Sequence, residues 1–283
     1  SEDINRKRTK MLQGLSPNLN IIMKAIEKAS KILVRDFGEI QQLQNSLKGI
    51  DKFILASRKK AEEILIEELL ASRNKSGYIS YGVKKIGINK NEFFIINPID
   101  GIENYRKGIP YFSISVGLQD GDSLIAGVVY NPVLDSLYYA EKGGGAFLSE
   151  SRTSRRMRCG NKLDLSESIV LVSSTFEKSE NKIKSEQIRK LCDNISISTR
   201  IMGATSLDLC YLADNKVDAF LGHNENILSA SAGMLIAKES GAFMSSYTLD
   251  GKENKSLFQT DYFIASNTKL KNALAEFIKP EIK

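Results

Sequence analysis

The chain has 283 residues, 42% of them hydrophobic, and its 40 basic and 34 acidic side chains leave a net charge of +6. That length and apolar content supply one large core or two ordinary ones and exclude a disordered chain. No apolar run approaches the roughly 18 residues of a membrane helix, and Ser1–Lys10 is charged with no apolar stretch behind it, so neither a membrane span nor a secretory signal is expected. The modest positive charge permits contact with phosphates or nucleic acid without establishing it. Cys159, Cys192 and Cys210 lack metal-ligand spacing and read as reduced thiols of a cytoplasmic protein.

Ser16-Pro17 starts the first helix, a capping hydroxyl followed by proline at the first helical position. Ile21, Ile22, Ala25, Ile26, Ala29, Ile32 and Leu33 give that helix one apolar face. Residues 38–50 are polar and read as irregular. Asp51 caps a second helix with Ile54, Ala61, Ile64, Leu65 and Leu69 inward, while Arg58-Lys59-Lys60 and Glu62-Glu63 form a solvated face. Phe93-Phe94-Ile95-Ile96 is a short apolar run that ends in a turn at Asn97-Pro98-Ile99-Asp100-Gly101. Residues 112–118 and 124–130 read as strands joined by a hairpin turn at Asp120-Gly121-Asp122, and a third strand begins at 137–140. Gly143-Gly144-Gly145 is a flexible connection, with no lysine after it that would make a phosphate loop.

The basic run Arg152 to Arg158 reads as a solvated loop, with an anion or RNA contact as the sharper alternative. It marks the expected division of the chain into residues 1–155 and 156–283. Beyond it, strands at 169–173, 196–200, 217–221 and 262–265 alternate with helices at 178–194, 204–213, 229–240 and 270–278. Such alternation predicts a mostly parallel or mixed sheet flanked by helices. His223 is the only histidine and has no Ser/Asp pattern to pair with, so it reads as a surface or loop residue. Lys84-Lys85 is an exposed pair or a cation that could hold an anion, and Asn104-Tyr105-Arg106-Lys107 reads as solvated charge. A serine-nucleophile elbow, a Walker loop, zinc spacing and a dinucleotide glycine fingerprint are all absent from the sequence.

Three blocks carry a resemblance. The first is Asn97-Pro98-Ile99-Asp100-Gly101 with Asn104-Tyr105 and Gly108-Ile109-Pro110-Tyr111-Phe112. The second runs from Arg200 through Gly203, Leu207-Asp208-Leu209 and Ala213 to Val217-Asp218-Ala219-Phe220. The third runs from Leu228-Ser229-Ala230-Ser231-Ala232-Gly233 to Glu239-Ser240-Gly241-Ala242. Order and spacing over about residues 15–280 resemble the inositol monophosphatase family, including its bacterial SuhB-type members. The resemblance implies an α+β, or α/β, layered sandwich of alternating helix and sheet layers. It also implies a homodimer and an Mg²⁺-dependent phosphomonoesterase, whose ions hold the phosphate and lower the pKa of an attacking water.

Carried over residue by residue, that resemblance leaves few ligands. The family's paired glutamates fall on Tyr81 and Gly82. The first aspartate of its Asp-Pro-Ile-Asp-Gly-Thr motif falls on Asn97, the second is Asp100, and the threonine falls on Ile102. Ile99 keeps a ligating carbonyl. The Trp-Asp pair of the third block falls on Leu228 and Ser229, a sugar-binding glutamate near Gly222, and an early aspartate near Arg58. Gly101, Gly203 and Thr205 are the expected substrate contacts. Two divalent ions about 4 Å apart repel by roughly 16 kcal/mol at an effective dielectric near 20, and one carboxylate does not offset that. Glu103, Asp135, Asp208 and Asp218 are the acids from which a rebuilt site would be drawn. Bound Mg²⁺ is therefore expected to be weak or absent. The chain is expected to be a catalytically impaired family member that acts by binding, with a transcription or ribosomal RNA role carried by the SuhB likeness. The alternatives are an active Mg²⁺-dependent phosphatase on inositol 1-phosphate or a related sugar phosphate, and a sensor that binds a small phosphate ligand without turnover.

Overall fold

The computed structural model describes residues 15–43, 49–151, 153–173, 190, 192–194, 196–248, 252–254 and 261–282. Two helices come first, α1 (Pro17–Leu43) and α2 (Ile50–Ser72). They are followed by β1 (Gly77–Ser80), β2 (Val83–Lys85), β3 (Glu92–Asp100), the short α3 (Ile102–Arg106), β4 (Ser113–Asp120), β5 (Ser123–Asn131), β6 (Ser136–Glu141), β7 (Gly145–Glu150) and β8 (Thr153–Met157). The second half holds β9 (Ile169–Val172), β10 (Ser198–Arg200), α4 (Thr205–Ala213), β11 (Ala219–His223), α5 (Ile227–Glu239), β12 (Phe243–Tyr247), β13 (Glu253–Asn254), β14 (Tyr262–Ser266) and α6 (Lys271–Ile282). The strands form an eight-stranded sheet in the order β2-β1-β3-β4-β5-β6-β7-β8 and a six-stranded sheet in the order β10-β9-β11-β14-β12-β13.

Alternation within the strands sets the layers. Phe94, Ile96, Ile114, Val116, Val128 and Tyr130 point from the first sheet into a core shared with the apolar faces of α1 and α2. The opposite face of that sheet is lined by Ser113, Ser115, Gly117 and Gly127, and α5 lies on it with its own small residues, Ser229 to Gly233. A side chain at Gly127 would sit 3.1 Å from the Ala232 backbone, so only glycine allows this approach. Val129 and Tyr138 of the first half share a core with Leu207, Cys210, Ala232 and Ile236 of the second. On the far side, Leu171, Phe220, Phe263 and Ala265 of the second sheet pack on α4 and α5, while Val170, Leu221 and Ile264 face outward with Leu270 and Leu274. The result is helix, sheet, helix, sheet, helix, the layered α+β arrangement expected from the sequence.

Several expected boundaries move. Residues 38–43 belong to α1, because Ile40 is fully buried two turns beyond Leu33, the end of the apolar stripe. The basic run 153–157 is not a loop but the edge strand β8, paired with β7 and exposed over its first four residues. The division expected at 155/156 therefore falls inside a strand, and the sheets change between Met157 and Ile169. The second sheet is mixed: β9, β10 and β11 are parallel, whereas β14 runs antiparallel to both β11 and β12. Strands β12 and β13 had no clear signal in the sequence. Of the helix expected at 178–194, residues 178–189 and 191 lie outside the described residues, while 190 and 192–194 are helical. Ser1–Lys10 and Arg152 also lie outside them. No helix among the described residues is long and apolar enough to cross a membrane. The three cysteines are free thiols, with Cys192 and Cys210 buried.

Candidate functional site

The expected turn at 97–101 is instead the end of β3. Asn97 pairs with Ser115 and Asp100 with Ser113, with a register shift between them at Pro98, which has no N–H to give the ladder. That shift brings side chains three residues apart onto one side. Asn97 Nδ2 points at Asp100 Oδ1, 3.4 Å away, and donates to Ser229 Oγ at 3.1 Å. Gly101 then takes a left-handed conformation (φ 81°) as the N-cap of α3, with Tyr111 O and Ala204 Cβ 3.0 Å from where a Cβ would lie.

Two helix N-termini converge here. Helix α4 begins after Ala204, which has no capping side chain, and the function passes to Asp100. Its Oδ2 accepts from the Ser206 amide at 2.8 Å and the Ser206 hydroxyl at 2.6 Å. Helix α5 is capped by Asn226, which accepts from Leu228 N at 2.9 Å, and this turn delivers Ser229. Burial pushes the Asp100 carboxyl up from the usual range, against the opposing hydrogen bonds from Ser206, Ser229 and Asn97.

Tyr81, just past β1, closes the other side. Its hydroxyl donates to Asn97 Oδ1 at 3.2 Å, and its amide donates to Glu62 Oε1 at 3.2 Å. Ser80 Oγ also donates to that Glu62 oxygen. The Arg58 guanidinium stacks over the Tyr81 ring, 4.5 Å from its centroid. Burial raises the Tyr81 phenol, the charges of Asp100 and Glu62 add to that, and Arg58 opposes it.

The remaining sequence candidates are placed as follows. Tyr81, Asn97, Asp100 and Ser229 form one hydrogen-bonded group. Gly82 lies in the β1–β2 turn (φ 69°). Ile102 is half-buried against the first core, and the carbonyl-bearing Ile99 is buried. Asn104 anchors the approach of Gly203 by donating to the carbonyls of Met202 and Tyr111, both at 2.8 Å. Thr205 Oγ1 donates to Glu225 Oε2 at 2.8 Å. The four acids considered for a rebuilt site are engaged elsewhere. Asp208 accepts from the Tyr111 hydroxyl at 2.7 Å, Asp218 from Ile169 N at 2.9 Å and Asp135 from the Tyr130 hydroxyl at 2.8 Å, while Glu103 pairs with Arg106 at 3.3 Å. His223 is not a loop residue. It ends β11, half-buried against the Tyr262 ring at 5.0 Å, and burial lowers its pKa. Lys84 and Lys85 lie on the exposed strand β2, with Lys84 over the Phe93 ring.

The sequence reading placed Glu62 on a solvated face, which the structure corrects, and passed over Ser206 and Glu225 as site residues. Glu62 lies one helical turn after Arg58 and brings a carboxylate to Tyr81. Ser206 supplies both donors that hold Asp100. Glu225 lies over Gly222, where a Cβ would sit 2.7 Å from Glu225 Cγ, so a carboxylate reaches this spot from three residues downstream.

The donor set does not suit a pair of Mg²⁺ ions. Among the described residues no group of three or more His, Cys, Asp and Glu side chains is placed to share a metal. The neighbours of Asp100 are an amide and two hydroxyls, which cannot neutralise dications.

The inositol monophosphatase family matches residues 15–282. An inositol-1-monophosphatase of Rhizobium meliloti is 34% identical over 93% of this chain and 97% of its own length. A Nus factor SuhB of Pasteurella multocida is 26% identical over 94% and 97%. The crystal structure of the extragenic suppressor protein suhB from Bartonella henselae superposes with a TM-score of 0.82 at 30% identity, covering 93% of this chain and 99% of that one. With the layered fold, and with Asn97, Asp100 and Ser229 gathered at the ends of β3 and α5, the match leaves one assignment: this chain belongs to the inositol monophosphatase family.

Proposed function

We propose that this chain is a family member that has lost two-metal hydrolysis and works by binding, as a cytoplasmic homodimer. The observation that carries the reading is the environment of Asp100. Its carboxylate is held by Ser206, Asn97 and Ser229, with Tyr81 closing the group, where a metal pair needs further acids. Metal catalysis requires ions that activate water and neutralise the phosphate. An isolated, buried and hydrogen-bonded carboxylate supplies neither the charge nor the open coordination positions. The Nus factor name of the SuhB relatives supports a partner in transcription or ribosomal RNA synthesis.

The test is phosphate release from inositol 1-phosphate in millimolar Mg²⁺, compared with an Asn97→Asp/Ser229→Asp variant. Release is expected to stay at background in the unmodified chain, and turnover of roughly 1 s⁻¹ or more would sink the reading. Pull-downs against RNA polymerase and Nus-type factors test the partner, and no enrichment over an unrelated basic protein counts against it. A second reading, an active Mg²⁺-dependent phosphatase on inositol 1-phosphate, is favoured by the inositol-1-monophosphatase relative at 34% identity. The same assay decides between the two.

A further inference from the structure

The first side of the site is closed by a cation that belongs to the chain itself. Arg58 projects from α2 onto the face of Tyr81, 4.5 Å from the ring centroid, and that ring is tied through its hydroxyl to Asn97. Arg58 Nε is shielded from solvent and has no hydrogen-bond partner. The two nearby carboxylates are held by other donors: Glu62 by Ser80 and the Tyr81 amide, Asp100 by Ser206. Arg58 therefore makes no ion pair with either of them. A guanidinium held against a ring by its charge does not spend its N–H donors on that contact, and arginine grips a carboxylate or phosphate through two parallel hydrogen bonds.

We propose that Arg58 is the resident cation of this site, and that it binds a phosphate-type oxyanion without any divalent ion. The proposal rests on the binding reading given above and names its ligand class. It departs from the two-lysine alternative as well, because Lys84 and Lys85 lie exposed on β2 while Arg58 stands against the side chain that touches Asn97. Arginine suits the task because its planar guanidinium offers several N–H donors that match the oxygens of an oxyanion. Tyr81 holds the guanidinium carbon 4.5 Å from its ring centroid, and the ring is fixed in turn by its bond to Asn97.

The test uses inorganic phosphate titrated into the full chain, followed by calorimetry or ³¹P NMR line broadening, in buffer containing EDTA. Saturable binding is expected in EDTA, unchanged within twofold on replacing EDTA by 2 mM Mg²⁺. Arg58→Gln should weaken it at least tenfold, Arg58→Lys should fall between, and a Lys84→Gln/Lys85→Gln variant should bind within twofold of the unmodified chain. Arg58→Lys keeps the charge and serves if the glutamine variant does not fold, since loss of the planar fork alone should then weaken binding severalfold. No binding in EDTA, binding that appears only with Mg²⁺, an unchanged affinity in both Arg58 variants, or a loss confined to the lysine variant each overturns the proposal. The same samples are then given inositol 1-phosphate and Mg²⁺. Turnover there defeats the non-hydrolytic reading, whereas the EDTA titration alone decides the role of Arg58.

Discussion

Asp100 stands at the uncapped start of α4, and its two bonds from Ser206 make it the cap of that helix. Asp100→Ala removes the acceptor of two hydrogen bonds, 2.8 Å from the Ser206 amide and 2.6 Å from its hydroxyl. The 3.4 Å contact to Asn97 is too long to add much. Each of the two short bonds is worth about 1–1.5 kcal/mol. The buried Ser206 N–H is then left unpaired at a helix start whose own N-cap, Ala204, has no side-chain acceptor. The expected loss is about 3 kcal/mol, with Asp100→Asn near 1 kcal/mol because an amide oxygen can still accept from the Ser206 amide. Urea denaturation followed by circular dichroism measures it, in EDTA and again in 5 mM Mg²⁺. A fold-maintaining cap gives the same 3 kcal/mol in both. A metal ligand would instead let Mg²⁺ stabilise the unmodified chain, by about 2.7 kcal/mol at one hundred times Kd, and that gain would vanish in the variant. A loss below about 1 kcal/mol in EDTA, or a loss that appears only with Mg²⁺, refutes the assignment.

Asn97→Asp places a second carboxylate within about 4 Å of Asp100, which costs up to about 4 kcal/mol at an effective dielectric near 20. A urea midpoint unchanged in EDTA contradicts this, and full rescue by Mg²⁺ contradicts the poor fit of the site to metal. Burial holds the Asp208 carboxyl well above the usual range despite its bond from Tyr111. The folded state therefore keeps a proton that the unfolded chain releases. The stability this contributes is complete below the unfolded pKa and is lost as pH rises through the folded one. Asp208→Asn should flatten the fall of the urea midpoint between pH 5 and pH 8, and an unchanged slope excludes Asp208 as its source. Gly127→Val drives a side chain into the Ala232 backbone, 3.1 Å from the first added carbon, and should lower stability by about 2–3 kcal/mol by thermal melting. A melting temperature within 1–2 °C of the unmodified chain would show that α5 can shift off the sheet.

The helices were legible where an apolar stripe and a cap coincided. Ser16-Pro17 and the Ile22-Ile26-Leu33 stripe fix α1, whereas α2 is fixed by the stripe ending in Leu69 alone, since it starts at Ile50 with Gly49 as N-cap and Asp51 lies in its first turn. The exit of α1 was not legible, because Gln41 and Gln42 look like loop residues and Ile40 by itself does not announce a further turn. Strand β8 was hidden by its own exposure. Thr153 to Arg156 carry no inward apolar residue, and only pairing with β7 makes them a strand. For the site, the sequence identified Asn97, Asp100 and Ser229 as a group, because the motif blocks keep their order across 132 residues. The partners it missed approach through space. Ser206 reaches Asp100 only because α4 starts under β3, and Glu225 reaches the neighbourhood of Gly222 because a glycine there leaves room. Arg58 was visible as a departure from the family pattern, but its stacking on Tyr81 depends on α2 lying alongside the β1 end.

Those missed partners also explain why the site around Asp100 is stable. A cluster of bare carboxylates would repel itself whenever ions were absent, and each buried charge would carry a desolvation cost. Here the side chains complement one another. Tyr81 donates to the Asn97 carbonyl oxygen, the Asn97 amide donates to Ser229, and Ser206 donates twice to Asp100. Every buried acceptor in that chain is met by a donor from a different element: the end of β1, β3, α4 or α5. Changing one member alone leaves an unpaired group, so the members hold their places together. Introducing a single aspartate at Asn97 should therefore damage the fold, because it removes the amide that joins Tyr81 to Ser229 and sets a second carboxylate beside Asp100.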